Sequence, residues 1–156
     1  MLSSPRIIQL VALSDMILAI SLSSYLGLLI RHGAELIPGP YSVTEKITRL
    51  VVYSSLLYFF LSIQLFMAFQ LLKSTKLVLE EPMKSMKKIG IWLEWSFVYV
   101  LFIGLHGATA LLLMKPTQRK HILLALTSIQ VLFRIIGILI ITKYQFIFPQ
   151  RSLIKV

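Results

Sequence analysis

Four long apolar runs, parted by short polar segments, set the pattern of this chain. They cover 7–30, 50–72, 89–114 and 122–142, and the only formal charges inside them are Asp15, Glu94 and Arg134. A bilayer core about 30 Å thick needs roughly 20 apolar residues of helix, and each run meets that length. The pattern predicts an all-α fold: an integral membrane four-helix transmembrane bundle with short loops, with residues 1–156 forming a single four-span domain. The first run exceeds a signal-peptide core, is split by Asp15 and lacks a convincing small-residue cleavage site, so it is expected to remain as a span. Helix punctuation agrees. Pro38-Gly39-Pro40 predicts a turn, Ser42 with Glu45 fits a capping box, and Pro82 after Glu80-Glu81 suits a helix start.

Composition narrows the class. Hydrophobic residues make up 57% of the chain and charged ones 14%, with a mean hydropathy of +0.84. Soluble domains carry about 25% charged residues, so soluble globular and disordered classes are excluded. Lys and Arg number 16 against 6 Asp and Glu. The basic residues cluster at span ends, which reads as membrane flanking rather than nucleic-acid binding. Four spans put both termini and the 73–88 loop on one side. That side holds nine basic residues against six on the other, so both termini are expected to be cytoplasmic. Which membrane is left open. The chain has no cysteine, which excludes disulfides and thiolate metal sites. It has no dinucleotide, Walker or zinc-protease motif, so no cofactor or metal is expected.

Small and polar residues recur at helical spacing. Ala12, Asp15, Ala19, Ser23 and Gly27 form one stripe on the first span. The third offers Gly90, Glu94, Phe97, Leu101, Gly104 and Ala108; the fourth Thr127, Gln130, Arg134 and Gly137; the second Ser55, Tyr58 and Ser62. Such stripes let backbones approach closely in lipid, so Ala12, Ala19, Ser23, Gly27, Gly104 and Ala108 are expected to pack against neighbouring helices. A polar pathway through the bundle is the competing reading. Asp15 and Arg134 each lie eight residues inside a span end on the same side, about 12 Å deep at 1.5 Å per residue. They are expected to form an intramembrane ion pair. Glu94, about 7.5 Å deep, can reach the interface or share the arginine, and Gln130 completes the expected polar cluster.

Reactive chemistry is sparse. His32 and His121 adjoin basic residues at span ends and are expected at the surface. His106 is expected to hydrogen-bond Ser23 or Ser24, which reach its depth, and no carboxylate on a span lies level with it. No nucleophile–base constellation or ligand spacing results, so an enzyme is not expected. Trp92, Trp95 and Tyr144 are expected to anchor at the membrane interface. Lys84, Lys87 and Lys88 are placed to meet anionic lipid headgroups. The layout of four spans and short loops is similar to that of MARVEL-type and lysosomal-associated four-span proteins. The opening Pro5-Arg6-Ile7-Ile8-Gln9-Leu10 resembles the start of some MARVEL domains, too short a match to infer membership. Functionally, the sequence points to a non-enzymatic multi-pass membrane protein. It would act as a scaffold, chaperone or trafficking partner through helix–helix contacts, with lipid and other membrane proteins, or itself, as partners. The alternative is a component of a small-solute, ion or proton transport system using Asp15, Glu94 and Arg134.

Overall fold

A computed structural model describes residues 4–153 apart from position 79, and the side chains of 5–143 with the same exception. Of the basic residues counted on the side of the termini, Arg151 and Lys155 lie outside the described side chains, as does Tyr144. Four helices follow in order: α1 (Ser4–His32), α2 (Val43–Leu77), α3 (Pro82–Leu113) and α4 (Gln118–Leu153). A single 3-10 turn, Ala34–Leu36, lies between α1 and α2. Among the described residues there is no strand. All four helices are long and apolar enough to cross a membrane, giving the fold of an integral multi-pass membrane protein.

Each helix is longer than its apolar run, and the ends of α2 and α3 carry their own signals. Ser42 caps α2: its hydroxyl accepts from the Glu45 N–H, and its own N–H donates to the Glu45 carboxylate at 2.8 Å. That satisfies two of the free N–H groups of a helix start. Before it, Gly39 takes a φ of 108°, which suits glycine, and Pro38 and Pro40 flank it. Pro82 opens α3 within its first turn, as the sequence predicts. At the other end of α3 the finishing device is a lysine. The Lys120 ammonium donates to the carbonyls of Leu111 at 2.6 Å and Met114 at 2.7 Å, and is buried there rather than projecting as a flanking charge. A cation over free carbonyls also complements the negative end of the helix.

Neighbours in sequence are neighbours in space: α1 packs on α2, α2 on α3 and α3 on α4, and α1 meets α4 to close the ring. Two apolar layers result. One, toward the α1–α2 turn, gathers Leu22, Leu26, Leu29, Leu57, Tyr99, Ile103 and Leu123; the other, toward the termini, gathers Ile8, Val11, Leu71, Trp92 and Ile138. The α1 stripe faces inward. Ala12 and Ala19 are fully buried and Ser23 and Gly27 half-buried, the Ser23 carbonyl accepting from the Tyr58 hydroxyl at 2.8 Å. A Cβ at Gly27 already lies 3.4 Å from that hydroxyl. Gly27→Leu is therefore expected to cost about 1–3 kcal/mol through overpacking, read as a lower unfolding midpoint of the purified protein. An unchanged midpoint would remove this stripe as a close contact.

Candidate functional site

Between the two apolar layers lies a buried polar cluster to which every helix contributes. Asp15 on α1 and Arg134 on α4 are each 1% exposed, with Arg134 Nη2 2.7 Å from Asp15 Oδ1. The contact is an ion pair by distance, although its N–H is not aimed as a hydrogen bond. From α2, Gln64 Nε2 donates to Asp15 Oδ1 at 2.6 Å and also lies 3.2 Å from the Asp15 carbonyl and from Gln130 Oε1. From α3, Trp92 Nε1 donates to Asp15 Oδ2 at 3.3 Å, and Ser96 Oγ accepts from Arg134 Nη1 at 3.0 Å. The guanidinium centre lies 5.2 Å from the Trp92 ring centroid and 4.8 Å from that of Tyr99, within cation–π range. Gly137, one turn beyond Arg134, makes room for the indole: a Cβ there would stand 3.3 Å from Trp92 Cη2. Both oxygens of the carboxylate are engaged. Arg134 Nε, Gln130 Nε2 and the Tyr99 hydroxyl have no protein partner.

The expected members divide. Asp15, Arg134 and Gln130 come together. Glu94 does not: it is exposed on the opposite side of α3. Gly104 and Ala108, expected against a neighbouring helix, also face outward, with nothing within 4 Å of a Cβ at Gly104. From Glu94 onward the expected α3 face is turned out, with Gly90 half-buried, because the bulky Trp92, Leu93, Tyr99 and Ile103 fill the core in its place. Trp92 is thus a core residue and not an interface anchor. Trp95 is half-buried, its ring stacked on Phe60 with centroids 5.4 Å apart.

On α2, Ser55 and Ser62 are exposed and turn their hydroxyls back to the carbonyls of Val52 and Tyr58, so neither needs an interhelical partner. The buried line there runs through Ser54, Leu57, Leu61, Gln64 and Ala68. Gln64 had a legible signal: it lies eight residues inside Leu72, the same depth of about 12 Å as Asp15 and Arg134. Trp92, Ser96 and Tyr99 had none beyond helical spacing. His106 departs from expectation as well. It stacks between Tyr53 and Phe102, with centroids at 4.0 and 5.5 Å, and its carbonyl accepts from the Tyr53 hydroxyl. His32 and His121 are exposed.

Chemically, the cluster holds a charge pair in place. Its components are one acid, one base, two amides, an indole and hydroxyls. Among the described residues, no three His, Asp or Glu side chains lie together to hold a metal ion. Lys84, Lys87 and Lys88 lie elsewhere, at the mouth of a groove between α2 and α3 near the termini. No protein-family model, curated protein or solved structure matches the chain, so its geometry alone carries the functional reading.

Proposed function

We propose that the protein is a non-enzymatic accessory protein of the membrane, a scaffold or chaperone that receives a transmembrane helix of another protein on the outer face of α3. The observation that carries this reading is the direction of that face. Glu94, Phe97, Leu101, Gly104 and Ala108, one or two helical steps apart, all turn away from the bundle. Gly104 and Ala108 offer the small-residue approach that helix pairs in lipid use. A carboxylate directed outward from a span is costly in hydrocarbon and favours a donor brought by a partner. A second copy supplies that donor poorly. A two-fold axis along the membrane normal sets equivalent residues at equal depth, so a dimer on this face would bring two Glu94 side chains together. A different helix with a basic or hydrogen-bonding side chain near the cytoplasmic interface complements the face.

The buried pair supports a structural role over a transport one, since both Asp15 oxygens are already engaged by Gln64, Arg134 and Trp92. The excess of basic residues on the side of the termini supports a cytoplasmic placement for both.

A photo-crosslinking residue at Leu101 in cells tests the proposal, with Leu132 on the exposed side of α4 as reference. Leu101 is expected to give a discrete adduct that Gly104→Leu reduces at least about tenfold, because the leucine separates the backbones. The unfolding midpoint of the purified protein should not move, since Gly104 faces open space. Equal adducts at Leu101 and Leu132, or a Leu101 adduct indifferent to Gly104→Leu, would overturn the reading.

A further inference from the structure

We propose that the groove between α2 and α3 at the end bearing both termini binds one anionic phospholipid. This site is separate from the outer face of α3, and neither reading depends on the other. The groove has a volume of about 380 Å³ and is lined by Lys84, Lys87 and Lys88 at its mouth and by Phe66, Met67 and Ile91 below, with Gln70 between. Its order from mouth to floor matches the order of a lipid: charge first, then hydrocarbon.

The three lysines stand at i, i+3 and i+4 on α3 and so share one face of the helix. Their charge is partly opposed, as Lys84 pairs with Glu81. Across 73–88 five lysines face two glutamates, Glu80 and Glu81, which leaves the surface cationic. Lys88 is half-buried, and its ammonium donates to Gln70 Oε1 at 2.9 Å. An ammonium has three donors, so two remain for a phosphate once Gln70 has fixed its position. The floor decides between a lipid and a free phosphate ester. Phe66 and Ile91 are 57% and 42% exposed, and a small water-soluble anion would leave that apolar surface uncovered. An acyl chain covers it.

Fluorescence quenching by lipids with brominated chains reads this site, because Trp95 lies one turn beyond Ile91 and the other tryptophan, Trp92, is buried. The full chain in zwitterionic micelles is titrated with brominated phosphatidylglycerol and, separately, brominated phosphatidylcholine. Phosphatidylglycerol is expected to quench at a concentration about 25-fold or more lower, from at least two lysines at ~1 kcal/mol each. Lys87→Gln with Lys88→Gln should reduce that preference about fivefold for each lysine, equivalent to ~1 kcal/mol each. Gln70→Leu keeps every charge and should still lose about two- to fivefold, since Lys88 is no longer held at the mouth. Lys73→Gln with Lys76→Gln removes the same charge at the same end without touching the groove and should change little. Glycerol 3-phosphate at millimolar concentration should not displace the lipid. Equal quenching by the two lipids, an equal loss in the Lys73/Lys76 variant, no effect of Gln70→Leu, or displacement by glycerol 3-phosphate would each overturn the proposal.

Discussion

Asp15→Ala is expected to lower the stability of the purified protein by about 3–5 kcal/mol, the usual cost of leaving one member of a buried ion pair without the other. The arginine it strands keeps only Ser96 Oγ as an acceptor, together with the Trp92 and Tyr99 rings. Arg134→Ala should cost less, roughly 2–3 kcal/mol, because Gln64 and Trp92 still donate to the carboxylate that remains. Asp15→Leu combined with Arg134→Met removes both charges and most of the desolvation they suffer. It should lie nearer the parent than either single variant. Recovery is incomplete because the Arg134–Ser96 bond is lost and Trp92 Nε1 is left without its acceptor, whereas Gln64 Nε2 keeps Gln130 Oε1 and the backbone carbonyl at position 15. A charge exchange, Asp15→Arg with Arg134→Asp, should recover less than the apolar pair. Its new cation would face the N–H groups of Gln64 and Trp92, and the indole would have lost its acceptor. Denaturant titration in mixed micelles measures these proteins, and Asp15→Leu and Arg134→Met made singly close a double-mutant cycle with the apolar pair and the parent. Additive losses would mean the pair carries no coupling, and single variants as stable as the parent would remove it from the account altogether.

Trp92→Ala should be nearly as severe, about 3–5 kcal/mol, since a large side chain 1% exposed leaves a cavity between α1, α3 and α4. Trp92→Phe isolates the polar part: it keeps most of the area and loses the donor to Asp15 Oδ2, for about 1 kcal/mol. Trp95→Ala, at a half-buried site stacked on Phe60, should stay within about 1–2 kcal/mol. The same titration ranks the three. Equal losses for Trp92→Ala and Trp95→Ala would contradict the difference in burial.

Span lengths, caps and the Asp15–Arg134 pairing were legible because each rests on one chain segment or on simple depth arithmetic. The orientation of α3 was not. Small residues mark a face that can approach another helix closely, but they do not say whether that helix belongs to the same chain, and on α3 the large aromatics fill the interior. The serines of α2 misled for a related reason. A hydroxyl that returns to its own helix's carbonyl is satisfied anywhere, whereas the amide of Gln64 cannot be satisfied within its own helix and has to find a partner across the bundle. Depth was the better guide than residue class, since Gln64 lies level with the two charges it joins. Lys120 followed a third logic, in which the carbonyls at the end of α3 outweighed its tendency to reach water.

The ion pair joins the first helix to the last, and synthesis gives that an order in time. Arg134 follows Asp15 by 119 residues, which take about 6–24 s to translate at about 5–20 residues per second. Through that interval α1 is in the membrane before its counter-charge exists. Gln64 reaches the carboxylate first and Trp92 second, each supplying a donor as its own helix arrives, and only α4 neutralises it. The nascent protein therefore passes through two- and three-helix stages in which an acid is partly solvated by amide and indole, and ribosome stalling before residue 134 would accumulate the form most in need of help from the insertion machinery.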